Sequence, residues 1–365
     1  MSTTAAGVFS GMRIANAAAL MDDAFDAAVQ LIQDQIDSGK LESAEILIRS
    51  ESETYGASLG KAAVLDATGA IFLIASITKP MSAAGIMILA DRGELKLSDP
   101  VRKFIPEFSQ GDRKDITIKQ LLTHTSGLPD QLEENATLRA AHAPLKEFVK
   151  GAVRTPLLFK PGTKYSYQSM GILLASEIAE RITKTPFRDF LKQELFIPLG
   201  MKHSALGMGE FEMADVVRGQ IENAAKESGA GAANTKDWDW NSPYWRDFAA
   251  PWGGAHCTAL DVTIFLRSFL HPDGKVLKRE TALRMVRNQN PPGFTPRGLG
   301  FDLSPGSFGK SCSKRTFGHR GATGTLAWAD PKKAWSCVIL TSLPFNVSGE
   351  LLLNPVSDLI SGAAR

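Results

Sequence analysis

Apolar positions recur along this 365-residue chain with two periods, and the change of period marks its elements. From Asp22 to Ile36 they fall three or four apart among acidic and amide residues, which predicts an amphipathic helix. Ala44 to Arg49 and Tyr55 to Leu59 read as a strand pair. The run Ile71-Phe72-Leu73-Ile74-Ala75 is strand-like or buried. Met81 to Leu89 then reads as a buried helix that stops near Asp91-Arg92-Gly93. Val101 to Ile105 and Ile116 to Leu122 lead into Thr123-His124-Thr125-Ser126-Gly127-Leu128-Pro129. Helical spacing dominates Leu145 to Val153, Gly171 to Ile182 and Phe187 to Leu195. Ser228-Gly229-Ala230-Gly231-Ala232-Ala233 is the candidate mobile loop, followed by a cluster of Trp238, Trp240, Tyr244, Trp245 and Trp252. Thr325 to Ala329, the turn Asp330-Pro331-Lys332-Lys333, and Trp335 to Ser342 form a hairpin pattern, and a last helix spans Glu350 to Ser361. Strand and helix at both ends of a helical middle predict one α/β lobe interrupted by a mostly helical insertion.

Composition narrows the function classes. Apolar content of 44% and charge of 22% are ordinary for a soluble globular protein. Net charge is +2 with both signs interspersed, which gives no reason to expect a nucleic-acid partner. No apolar stretch reaches the roughly 18–20 residues of a membrane span. Arg13 stands after the first apolar residues, against the order of a secretory signal, so the expected location is cytoplasmic, with periplasmic or secreted as the alternative. Cys257, Cys312 and Cys337 are odd in number and widely spaced, which argues against a disulfide framework or zinc site. No metal motif is present, and neither metal nor cofactor is expected. The oligomeric state stays open.

The candidate chemistry begins with Ser-x-x-Lys. It occurs at Ser58/Lys61, Ser76/Lys79, Ser307/Lys310 and Ser311/Lys314, but only Ser76 has an apolar approach before it and an apolar helical pattern after it. On a helix, residues three apart are neighbours, so a deprotonated Lys79 could take the Ser76 proton. Pro80 suits a first helical turn, and the helix start aims backbone N–H groups at a developing oxyanion. Free lysine has a pKa near 10.4, so about 0.1% or less is basic at pH 7, and reaching 7 takes roughly 4 kcal/mol of differential interaction. A helper tyrosine is therefore worth seeking among Tyr55, Tyr165, Tyr167 and Tyr244. Tyr167 lies where the turn from Lys160 to Ser169 enters an apolar helix, a place from which a side chain can reach a cleft. The rival Gly56-Ala57-Ser58-Leu59-Gly60 has the spacing of a nucleophile elbow but lacks a following helix, so Ser58 reads as a strand residue. His124 near a helix end reads as a cap rather than a catalyst.

Ser76-Ile77-Thr78-Lys79, Tyr167-Gln168-Ser169 and His319-Arg320-Gly321 together resemble, in order and spacing, the three motifs of the serine β-lactamase/penicillin-binding protein superfamily. The flavour is similar to class C β-lactamases, related DD-peptidases and family VIII carboxylesterases. Leu121 to Leu128, Pro161-Gly162-Thr163, Gly298-Leu299-Gly300-Phe301, Phe317-Gly318-His319, Gly324-Thr325 and Trp328-Ala329-Asp330-Pro331 extend the likeness. It implies a β-lactamase/transpeptidase-like fold, in which an antiparallel sheet is flanked by helices and joined by a mostly helical inserted domain. Residues 1–95 and 250–365 would form the discontinuous α/β domain and 96–249 the helical one, with the active site in the cleft between them.

The same resemblance implies roles. Ser76 would be the acylated nucleophile, Lys79 its base and Tyr167 the proton shuttle. His319 would replace the motif lysine on the strand edging the site, and as a histidine it would titrate nearer neutrality and make activity pH-dependent between about 6 and 8. The backbone N–H groups of Ser76 and Ala322 would form the oxyanion hole beside Gly321. Ser169 stands where the family has Asn, and Arg320 where it has a small residue. Arg320 either pairs with a substrate carboxylate or points away on an alternating strand. Trp238, Trp240 and Trp252 either pack a loop or line an acyl pocket. The expected activity is hydrolysis of a small-molecule ester or amide through a Ser76 acyl-enzyme, with a carboxylesterase favoured. A β-lactamase or D-amino-acid (DD-) peptidase is the alternative, and Ser169 and Arg320 also motivate a catalytically retired binding protein.

Overall fold

The computed structural model describes residues 5–61 and 69–364. Its main sheet holds five strands: β1 (Ser43–Arg49), β2 (Thr54–Gly60) and, far along the chain, β6 (Phe317–Gly321), β7 (Thr325–Asp330) and β8 (Trp335–Thr341). Their order is β2-β1-β8-β7-β6 and every pairing is antiparallel. Three short strands form a second sheet: β3 (Phe72–Leu73), β4 (Ser204–Leu206) and β5 (Ala255–Cys257), with β5 in the middle. Helices cover both faces of the main sheet, so the fold is α/β with an antiparallel sheet, as expected.

Alternation along each central strand divides two apolar cores. On β7 and β8, Leu326, Trp328, Cys337 and Ile339 pack on one face with α1 (Ala5–Asp37) and the C-terminal helical run. Ala327, Ala329, Val338 and Leu340 point to the other face, into the larger core that also holds α2 (Thr78–Asp91) and α3 (Met170–Thr183). With both faces covered, β7 and β8 are buried along their whole length, which is why they read as near-continuous apolar runs.

The elements differ from expectation mainly at their ends. The first helix spans Ala5–Asp37 rather than starting at Asp22. The last begins at Phe345, widens into a π turn over Gly349–Leu353 and continues as Asn354–Ala363. The segment expected to be a mobile loop folds into 3-10 turns over Lys226–Ser228 and Ala233–Thr235. The Thr235 hydroxyl donates to the carbonyls of Ala232 (2.7 Å) and Gly229 (3.1 Å) and ties these turns together. Ser58 lies exposed on edge strand β2, a strand residue as read. Among the described residues no helix is long and apolar enough to cross a membrane.

Candidate active site

The chain leaves β3, turns at Ala75 and enters α2 through a 3-10 turn over Ala75–Ile77. Ala75 has φ 45°, a left-handed conformation that costs a non-glycine residue of order 1–3 kcal/mol. That strained turn presents Ser76, which is half-buried at the helix start. The neighbouring strand fits against it because Gly321 has no side chain: a Cβ there would lie 2.4 Å from the Ile74 carbonyl oxygen. The Thr323 and Thr325 hydroxyls donate to the carbonyls of Leu73 (2.6 Å) and Ile74 (3.0 Å), clamping the turn after β6 to the approach to Ser76. This clamp brings Ala322, which is exposed, to the same edge as Ser76.

Lys79 projects one helical turn on from Ser76 and is 1% exposed. Its Nζ donates to Ser76 Oγ at 3.1 Å and to the Trp252 carbonyl at 2.9 Å. Burial, opposed by Asp130 and reinforced by Arg297, lowers its pKa to about 7. Tyr167 acts on the same centre: Ser76 tempers the rise of its pKa, and its ring centre lies 4.7 Å from Lys79 Nζ. Burial pushes the phenol well above its ordinary value, so Tyr167 is protonated and Lys79 is the group poised to be basic at neutral pH. Three expected residues, spread over 91 positions in sequence, thus meet at one place.

His319 occupies the inner face of β6, its ring centre 6.0 Å from that of Tyr167. Its Nδ1 faces the Arg320 carbonyl at 2.7 Å, which makes Nδ1 the protonated nitrogen and leaves Nε2 a lone pair. Burial, reinforced by Arg297 and Lys79, drives its pKa down. His319 is therefore neutral between pH 6 and 8, and the titration expected of it falls instead to Lys79. Arg320, the next residue along the strand, turns to the outer face opposite Leu326. There it donates to the Ser307 carbonyl and lies 5.2 Å from the Phe345 ring. Of the two orientations open to it, strand alternation selects the one that points away, and Arg320 is corrected from a substrate-binding candidate to an outer-face packing residue.

Ser169 holds the N-cap position of α3 without capping it: its Oγ donates instead to Asp130 Oδ1 at 2.6 Å. The three tryptophans proposed as an acyl wall are all under 9% exposed. Trp252 packs against Phe148, Trp245 and Phe248, with ring centres 6.0–6.5 Å apart. Trp238 lies 5.0 Å from the Arg139 guanidinium. Trp240 lines a small cavity of about 20 Å³ with Phe72, Leu73 and Thr323.

Four site residues escaped the sequence reading of this centre. His124 is left-handed at φ 61°, just past the short helix Ile118–Leu122, so its expected capping position holds. Its ring also packs 4.8 Å from that of Tyr167, and its Nδ1 accepts the Gln168 N–H at 3.2 Å. Asp130, just beyond Pro129, acts electrostatically on Lys79 and Tyr167. Arg297 and Asp302 form an ion pair at 3.3 Å, the arginine side chain only 4% exposed. Both flank Gly298-Leu299-Gly300-Phe301, a stretch visible in the sequence, but nothing in their spacing tells that they face the nucleophile. Among the described residues no cluster of His, Cys, Asp and Glu could hold a metal ion.

Comparison with known proteins adds the frame. A family model described as Beta-lactamase matches residues 29–357. A "Putative D-alanyl-D-alanine carboxypeptidase" of Salmonella agona (strain SL483) is 25% identical, over 91% of this chain and 86% of its own. The solved structure of "EstCE1, a hydrolase with promiscuous acyltransferase activity" superposes with a TM-score of 0.74 at 20% identity, covering 93% of this chain and 99% of the other. A D-amino acid amidase from Ochrobactrum anthropi SV3 superposes at 0.73 with 23% identity, covering 94% and 98%. At such identities the structural likenesses speak for the fold alone.

Proposed function

This chain belongs to the beta-lactamase family, and we propose that within it the protein is a carboxylesterase working through an acyl-enzyme on Ser76. The observation that carries this reading is the Ser76 hydroxyl bonded to a buried Lys79 amine 3.1 Å away, with the Tyr167 ring centre 4.7 Å from that same amine. Neutral Lys79 removes the Ser76 proton as Oγ attacks the ester carbonyl. The backbone N–H groups of Ser76 and Ala322 receive the oxyanion, where preorganised donors are worth most. The proton then passes through Tyr167 to the leaving alkoxide, and water, deprotonated by the same pair, releases the acid and regenerates Ser76.

Two features favour esters over amides. Ser169 supplies no side-chain amide, and its hydroxyl is committed to Asp130. Arg320 is turned from the site, so it cannot grip a substrate carboxylate. Esters carry a better leaving group and need less of that grip. Amide hydrolysis, as by a DD-peptidase or β-lactamase, is the second reading, favoured by the similarity to a putative D-alanyl-D-alanine carboxypeptidase along most of both chains.

The test pairs p-nitrophenyl esters with nitrocefin, and a fluorophosphonate probe with intact-mass measurement. Wild type should gain one adduct and Ser76→Ala none, with ester turnover well above nitrocefin turnover. An adduct that survives Ser76→Ala would remove the nucleophile. Nitrocefin turnover equal to or above ester turnover would reverse the substrate preference.

A further inference from the structure

Arg297 belongs to none of the three motifs, yet it acts electrostatically on Lys79, His124, Tyr165, Tyr167, His319 and Asp302. The backbone around it is pinned on both sides. Asn288 Oδ1 accepts its N–H at 3.1 Å, and its carbonyl accepts the Gln289 N–H at 2.7 Å. Its guanidinium carbon lies 5.3 Å from the Tyr167 ring centre and 5.9 Å from that of Tyr165. Asp302 holds the other side of the guanidinium at 3.3 Å and exchanges backbone hydrogen bonds of 2.9 and 3.1 Å with Gly318, the residue before His319. One buried cation therefore joins the tyrosine loop to the strand that edges the site.

We propose that Arg297 is a positioning residue for acyl transfer: tied to β6 through Asp302, it holds the Tyr167 ring toward Ser76 and, as a permanent charge, disfavours a second cation on Lys79. The proposal rests on the reading of Ser76, Lys79 and Tyr167 as the reacting groups. A cation over an aromatic face is favourable in such a dry setting, and the planar guanidinium can stack where an ammonium cannot. Several groups face Lys79 and set its charge balance. Asp130, from the loop after Pro129, favours its protonated form; Arg297 opposes it. His124, past the helix Ile118–Leu122, and His319, on β6, are driven toward their neutral forms by burial, and Tyr167, from the loop before α3, stays protonated. The Trp252 carbonyl contributes only a dipole. Asp302 acts indirectly, by partly neutralising Arg297. Within this set, Arg297 is the fixed positive charge and its removal has a definite sign.

The experiment is the pH dependence of kcat/KM for p-nitrophenyl ester hydrolysis between about pH 5.5 and 9.5, with fluorophosphonate labelling of Ser76 as a second readout. In Arg297→Met the limb reporting Lys79 deprotonation should move to higher pH by up to about one unit, so that activity at pH 7 falls by up to roughly fivefold and recovers toward pH 9. Asp302→Asn removes the counter-charge and should move the limb the opposite way. Arg297→Lys should leave the limb in place while lowering kcat, because it keeps the charge and loses the planar stack. Circular dichroism confirms folding, and if Arg297→Met does not fold, the sign of the Asp302→Asn shift decides. A limb unmoved in Arg297→Met, or an Asp302→Asn shift to higher pH, overturns the proposal while wild-type labelling leaves the Ser76 reading intact. A wild type that neither labels nor turns over ester overturns both.

Discussion

Lys79 carries the largest consequence of any single residue. Its pKa is about 7 in the folded protein against 10.5 when exposed. The proposed mechanism needs the neutral amine, so kcat/KM should climb as pH rises through about 7. Stability follows the same proton. Between pH 7 and 10.5 the unfolded chain holds a proton on Lys79 that the folded protein does not, so folding becomes more favourable as pH rises across that window. The slope is about 1.4 kcal/mol per pH unit while the difference is fully developed. Below pH 7 both states are protonated and the full penalty of burying the ammonium is present. Chemical denaturation of wild type and Lys79→Met at several pH values checks this: wild type should gain on the variant from pH 7 toward 10. A stability difference that stays constant across that range would contradict a neutral buried lysine. Lys79→Met has no titrating group there, so this pH-dependent contribution is absent from the variant, and at pH 7 and below it escapes the cost of burying an ammonium.

At the scale of elements, the junction of β6 with the nucleophile turn decides whether the site exists. Gly321 sits where a Cβ would meet Thr325 Oγ1 at 2.0 Å and the Ile74 carbonyl oxygen at 2.4 Å. Both contacts lie in the clamp that sets Ala322 beside Ser76. Gly321→Ala should therefore cost about 1–3 kcal/mol, as overpacking does, and should reduce fluorophosphonate labelling more than the stability loss alone explains. Thermal denaturation and labelling rates measured below the transition separate the two effects. Gly300 has a similar place behind α2: it is left-handed at φ 81°, and a Cβ would come 3.0 Å from the Lys79 carbonyl oxygen. The glycines of the sequence stretches around Ser76 are thus contact surfaces that let three segments converge.

Over the whole molecule, one continuous apolar core joins Phe72 to Leu89, the helical middle and the inner face of β7 and β8. A site assembled across that core should not outlive it. In a urea titration, loss of Ser76 labelling should coincide with loss of circular dichroism, and labelling lost well before the main transition would show a separately unfolding part. The chain itself determined a good deal of this structure. Period-two and helical apolar patterns located β1, β2, β7, β8, α2 and α3, because those elements bury apolar faces whose spacing is written locally. Ser76 and Lys79 stood out because a helical turn is local, whereas Tyr167 was one candidate among four tyrosines until the resemblance to the three motifs singled it out. Tertiary structure alone decided the rest. Two-residue β3 and three-residue β4 and β5 carry too few positions for a period. Arg297, Asp302, Asp130 and His124 gain their place from chain crossings that no spacing records. The proton of His319 and the direction of Arg320 were settled by burial and by strand parity: titration depends on solvent lost in three dimensions, and a side chain's face depends on the partner strand that fixes the register.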